Sequence, residues 1–223
     1  MTTSYLYMSK STGGSIAAAI CATGMGDEEV LDLLVKSARD KTFNADIDNG
    51  IKTMLRQTMP EDAYSRCSGR LHVTLTRVRP KFQTKPVIVS QFASNEELIE
   101  SVAASCFIPL WSSMRLTTTV GKEEHSFIDG GVFAFVPALH RLVDHDVVSV
   151  TPLHEVYGFL HRRRKPVDIS PILLSNFNHS LPRLVRWALD PPSDEMLLDL
   201  YRAGEESAHI WADKREKSLE ILE

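Results

Sequence analysis

A hydroxyl set among small residues, where a short apolar run gives way to a helix-forming one, is the first arrangement in this chain able to do chemistry. Tyr5-Leu6-Tyr7-Met8 reads as a buried strand. Ser9-Lys10-Ser11-Thr12-Gly13-Gly14 follows, and Ser15-Ile16-Ala17-Ala18-Ala19-Ile20 then begins a helix that ends at Gly24. A serine on such a tight strand-to-helix turn presents its hydroxyl as a nucleophile, and its neighbours must be small because larger ones would collide. The helix N-terminus aims N–H groups at the same spot, where they favour a developing oxyanion. The usual pattern is G-x-S-x-G, and Ser9-Lys10-Ser11-Thr12-Gly13 carries it with Ser in the first position. A second register, from Lys10 to Gly14, makes Thr12 the reacting residue. Ser11 fits better, because Lys10 is bulky for the first small position and a β-branched Thr suits strained backbone poorly. A plainer reading also stands: a Gly-rich turn before a helix, with Ser11 or Thr12 as its cap. The Gly-Lys-Ser/Thr ending that would mark a phosphate-cradling loop is missing.

A serine hydroxyl needs a base. The eight histidines stand in no telling local motif. The other candidate is Asp129, in Phe127-Ile128-Asp129-Gly130-Gly131. Residues 125–128 read as a strand, and an Asp at its carboxyl end lies where ligands of α/β folds bind. Two following glycines let the backbone turn tightly and bring the carboxylate close to a neighbour. Taken singly, the segment reads first as an ordinary Asp-Gly turn.

These two segments need a sheet and helices to position them. A helix is expected over about 28–41, with acids at its start, Lys36, Arg39 and Lys41 near its end, and Leu31, Leu34, Val35 and Ala38 on one face. Residues 42–69 are polar and turn-rich, with short helical pieces near 51–55 and 61–64. "RLHVTLTRV" alternates apolar and polar with period two, and Val87-Ile88-Val89 supplies its hairpin partner. Ser94 or Asn95 caps a helix to about Ala104. "CFIPLW" is expected to pack against the core, and "DVVSVTPL" to form another short strand. A helix over 181–189 stops at Asp190-Pro191-Pro192, and a long amphipathic helix starts at Asp194. Strands alternating with helices predict an α/β sandwich on a largely parallel sheet.

A chain of 223 residues, 43% hydrophobic and 24% charged, has the composition of a globular protein able to bury one sizeable core. Its net charge of −4 gives no general attraction to nucleic acid. The one basic run, His161-Arg162-Arg163-Arg164-Lys165, reads as a solvated loop or as a patch for anionic lipid head groups. Cys21, Cys67 and Cys106 are scattered, which argues against a metal knuckle or a disulfide framework and fits a reducing compartment. No Asp-rich calcium loop is present, and neither a metal nor a nucleotide cofactor is expected. No apolar run approaches the roughly 18 residues of a membrane span. The start shows no signal peptide, so the cytoplasm is the expected location.

In order, the serine turn, "LHVTLTRV", "SVAASCFIPLW" and "SFIDGGVFAFVP" resemble the patatin-like phospholipases, nearest to their triglyceride-lipase and adiponutrin-like branch. "WALDPPSDEMLLDLYRAGEESAHIW" is similar to that branch too, so the resemblance spans most of the chain. "STGGSIAAAI" falls without a gap on the patatin form of the serine turn, while counting back from Ala22-Thr23-Gly24 against the lipase branch gives the Thr12 register.

The resemblance implies a three-layer α/β sandwich forming a single domain over 1–223, with its core at about 4–152 and a helical extension at about 181–222. It implies a Ser–Asp dyad of Ser11 and Asp129, with no histidine required and an acyl-enzyme intermediate. The implied substrates are esters of triacylglycerol or phospholipid, met at a membrane or lipid-droplet surface. Phe107, Ile108, Leu110, Trp111, Phe133 and Phe135 flank the two segments and are expected in the core or along an acyl groove. Family members carry, before the serine turn, a first strand and a Gly-rich loop that forms most of the oxyanion hole. Met1 stands ten residues before Ser11, so that strand and loop are expected to be missing. Losing one oxyanion donor lowers rate by about 10²–10³. The alternative expectation is therefore a catalytically impaired relative that binds lipid or a partner.

Overall fold

The computed structural model describes residues 13–40, 45–79, 83–121, 125–130, 148, 150 and 167–220. The chain divides into two compact units, Met1–Leu142 and Val143–Glu223.

In the first unit, α1 (Gly13–Thr23) and α2 (Asp27–Arg39) lie where the sequence predicts helices. The turn-rich stretch that follows holds more helix than expected. α3 (Ile47–Thr58) is 12 residues long, and α4 spans Ala63–Cys67. Ile47, Ile51, Met54 and Leu55 recur at helical spacing and make one apolar face, against the turn preference of Asp46, Asn49 and Gly50. Asp46 caps the helix, its side chain accepting from the Asn49 N–H at 3.1 Å. α5 (Asn95–Ala104) is capped by Ser94, whose Oγ accepts from the Glu97 N–H at 3.2 Å, while the Glu97 carboxylate accepts from the Ala93 N–H at 2.8 Å. That reciprocal pair is a shifted form of the capping box.

β1 (Val73–Arg79), β2 (Gln83–Val89), β3 (Thr118–Thr119) and β4 (Ser126–Asp129) form a sheet in the order β2-β1-β4-β3. Every pair in it is antiparallel. This corrects the expectation of a mostly parallel sheet for the described strands, although the class remains α/β. β2 starts too soon after β1 for the crossover of about a dozen residues that a parallel pair requires, so the two make the predicted hairpin. The strand expected at residues 5–8 lies outside the described residues. So does most of "DVVSVTPL", of which Val150 makes an isolated bridge to Ile169.

β1 has a neighbour on each edge and is buried on both faces: Val73 and Leu75 on one, Thr74 and Thr76 on the other. The core joins Leu71, Val73, Leu75 and Phe127 to Ala18, Ala19 and Ala22 of α1, to Ile51, Met54 and Leu55 of α3, and to Leu98, Ile99 and Val102 of α5. Small side chains on α1 let its backbone approach closely, and α1 packs on α4 and α5.

In the second unit, a 3₁₀ turn (Pro171–Leu173), α6 (Leu181–Leu189) and α7 (Asp194–Glu220) are described. The two helices match the predicted ones. Pro182 sits in the first turn of α6, and the rings of Phe177 and Trp187 flank that of His179 edge-on. α7 is 27 residues long, starts with Asp194 and Glu195 as the helix dipole favours, and packs on the 3₁₀ turn. Among the described residues, no helix is long and apolar enough to cross a membrane.

Candidate active site

Asp129 is the last residue of β4 and sits opposite Leu75 of β1. Residues opposite one another, or two apart along a strand, share a face, so Asp129 lies on the core face with Leu75 and Phe127. It is 1% exposed. Its backbone N–H donates to the Phe107 carbonyl at 2.8 Å. The next residue explains the Asp-Gly sequence: a Cβ on Gly130 would stand 2.3 Å from the Thr74 carbonyl oxygen and 2.8 Å from its carbon. Only glycine lets the chain leave β4 this close to the β1 backbone.

The segment 105–107, just after α5, is where the parts converge. Ser15, in the first turn of α1, is buried, and its Oγ lies 2.5 Å from Ser105 Oγ and 3.6 Å from Cys106 Sγ. Ser105 gives its hydroxyl proton to the Val102 carbonyl at 2.7 Å. The hydrogen between the two serines therefore belongs to Ser15. The start of α1 and the end of β4 thus both rest on this three-residue segment. Cys106 is not a rival nucleophile: burial pushes its thiol up to about 12, and the nearby Asp129 and Asp48 carboxylates push in the same direction. A neutral, buried thiol is inert at ordinary pH.

A loop over 108–116 follows and is tied down from below. Ser112 Oγ accepts from the Ile108 N–H at 2.9 Å and donates to the Cys106 carbonyl at 3.1 Å. The Ser112 carbonyl accepts from the Asp48 N–H at 3.0 Å. The Asp48 carboxylate, 1% exposed, accepts from Lys52 Nζ at 3.0 Å and from Arg115 Nη2 at 2.5 Å. The Arg115 guanidinium also lies 5.9 Å from the Phe107 ring centroid. Sequence reasoning missed Asp48; the available signal was its spacing of four from Lys52 on one helix.

Of the residues singled out from sequence, Asp129 is described, whereas Ser11, Thr12, Phe133, Phe135 and the basic run at 161–165 lie outside the described residues. Phe107 is fully buried in the core, Ile108 and Trp111 are half-buried, and Leu110 is 62% exposed rather than packed. Among the described residues, no group of three or more His, Cys, Asp or Glu side chains is placed to hold a metal ion.

Comparison with known proteins matches residues 11–142 to the family model described as patatin-like phospholipase. That match ends where the first compact unit ends. The chain is 31% identical over 221 residues to an omega-hydroxyceramide transacylase of Homo sapiens, covering 94% of this chain and 40% of the relative. It is 31% identical over 206 residues to the patatin-like phospholipase domain-containing protein 2 of Rattus norvegicus, covering 86% and 41%. It is 27% identical over 221 residues to a 1-acylglycerol-3-phosphate O-acyltransferase of Mus musculus, covering 91% and 51%. The chain therefore spans about half, or less, of the length of these relatives.

Proposed function

The chain belongs to the patatin-like phospholipase family, and from that premise we propose that it cleaves carboxylic esters of triacylglycerol or phospholipid with Ser11 as nucleophile and Asp129 as base. The observation that carries this reading is the setting of Asp129. It is a buried carboxylate at a strand end, fixed through its own N–H and followed by a glycine that has no room for a side chain.

In the first step Ser11 Oγ attacks the ester carbonyl carbon and its proton passes to the Asp129 carboxylate. The tetrahedral intermediate collapses, the bond to the alcohol oxygen breaks, and Asp129 returns the proton to that oxygen. An acyl group remains on Ser11. Water then gives a proton to Asp129, adds to the acyl carbon and expels Ser11 Oγ, which takes the proton back as the fatty acid leaves. A lipid hydroxyl in place of water turns the second half into acyl transfer, the reaction for which two of the relatives are named. Aspartate is a weak base for a serine hydroxyl, so the scheme depends on close contact and on N–H groups that stabilise the oxyanion. We read residues 1–223 as one catalytic domain that works from the cytoplasm, with peripheral contact to a membrane or lipid droplet.

Turnover of p-nitrophenyl butyrate and of a triacylglycerol emulsion tests the dyad. Ser11→Ala and Asp129→Asn are each expected to lower turnover by about 10²–10⁴. Full activity in both variants overturns the assignment. Loss in Thr12→Ala with activity kept in Ser11→Ala moves the nucleophile to Thr12.

A further inference from the structure

We propose that the loop over 108–116 is the part of this chain that enters a phospholipid surface, held in shape by Asp48. The choice of a lipid surface as occupant rests on the function proposed above; the geometry of the loop does not.

Three large apolar side chains stand out from this short loop: Leu110 is 62% exposed, Met114 88% and Leu116 58%. Single exposed apolar residues are ordinary, but three within seven positions make a patch that water does not favour. Leu110 moreover has a φ of 62°, the left-handed region that a leucine seldom adopts. That conformation lets its N–H donate to the Arg115 carbonyl at 3.1 Å, which closes the loop on itself. No buried contact of Leu110 accounts for it, since the side chain is mostly in water. A strained backbone that holds an apolar residue outward points to a use outside the fold.

The loop is also preformed. The two Ser112 hydrogen bonds, the Asp48 N–H on the Ser112 carbonyl and the Asp48–Arg115 ion pair fix its base. A fixed loop loses little conformational freedom on docking. Arg115 stands between Met114 and Leu116 and is 53% exposed. Its guanidinium carries five N–H donors, more than Asp48 and Ser113 take up. With the apolar side chains seated below the head groups, that cation meets lipid phosphate at the level where snorkelling arginines do. The base of the loop adjoins Phe107, whose carbonyl holds the Asp129 N–H.

The test is flotation of the full chain with vesicles of phosphatidylcholine, alone or mixed with phosphatidic acid, which needs no turnover. Wild-type protein is expected to float with both, and more with phosphatidic acid. Met114→Ser combined with Leu116→Ser is expected to lower partition by about tenfold or more, and Arg115→Gln to remove the gain from phosphatidic acid. Circular dichroism melting checks the fold; if the double variant melts early, Met114→Ser alone, at the most exposed position, serves in its place. Absence of wild-type flotation, or unchanged flotation of the folded variants, overturns the proposal. Self-association of the wild type that these substitutions abolish, with flotation unchanged, assigns the patch to a second copy and overturns it too. Flotation as expected from a chain that cleaves no ester leaves the docking loop standing and removes the dyad.

Discussion

The backbone N–H of Asp129 donates to the carbonyl of Phe107 at 2.8 Å. Through that one bond the end of β4 is registered against the segment leaving α5. The same segment takes the Ser15 hydroxyl from the first turn of α1 at Ser105, and its continuation is held by Asp48 of α3 through Ser112. Asp129 is thus located by three helices as well as by its own strand. The following expectations probe those supports one at a time.

Gly130→Ala places a methyl group 2.3 Å from the Thr74 carbonyl oxygen. Backbone on both sides has little freedom to give, because Leu75 and Asp129 are paired in the sheet. Overpacking of this kind costs about 1–3 kcal/mol. A urea titration should show that loss as a lower midpoint with an unchanged slope. A wild-type midpoint would mean that β4 does not lie this close to β1.

Asp48→Ala removes a buried acceptor from Lys52, whose side chain is 15% exposed, and from Arg115, at 53%. Both cations retain some water, so the loss should be about 1–3 kcal/mol rather than the larger value of a fully buried pair. Asp48→Asn keeps the shape and one acceptor oxygen and should lose less. Arg115→Gln, at the exposed end, should lose under about 1 kcal/mol. Chemical denaturation of the three variants checks the order, and Arg115→Gln proving the worst would contradict it.

What the sequence made legible were features set within a few residues. The alternation of Leu71, Val73 and Leu75 revealed β1, a capping residue at Ser94 or Asn95 revealed the start of α5, and Asp190-Pro191-Pro192 marked the end of α6. α3 was under-read because Asp46, Asn49 and Gly50 suggest turns locally, whereas burial of Ile51, Met54 and Leu55 decides in favour of helix. The direction of β4 against β1 was not legible, since their pairing joins residues about fifty positions apart. Asp129 stood out through its glycines. Asp48 did not, since a lone acid followed by a lysine four residues on looks like a surface helix pair until burial is known.

The three cysteines should separate by reactivity. Cys21 is exposed, whereas Cys67 and Cys106 are buried. Burial raises the Cys67 thiol to about 11 and that of Cys106 to about 12. The thiolate is the reacting form, so a maleimide at neutral pH should modify Cys21 first in the native protein and all three in denaturant. Mass spectrometry of the labelled peptides reads the order directly. Early labelling of Cys106 would contradict the packing of Ser15 and Ser105 around it.

Stability should fall on mild acidification through His72. Burial lowers its pKa from 6.5, and a backbone hydrogen bond involving Arg70 only partly opposes that shift. Above about 6.5 the ring is neutral in both states and pH has no effect through it. Below that value the unfolded chain takes up a proton that the folded chain still refuses, so stability drops until pH reaches the lowered folded value, and then levels off. The Glu96 carboxylate acts in a separate, more acidic window. A hydrogen bond from Arg56 lowers its pKa despite some desolvation, so its stabilisation is present above the ordinary carboxylate range and lost as pH falls through the folded value. That pair is about half exposed, at 45% and 49%, so its contribution is small. Urea midpoints measured from neutral pH to about pH 5 should therefore decline in the wild type and decline less in His72→Gln. Equal slopes in the two proteins would show that the ring at position 72 is not held neutral by the fold.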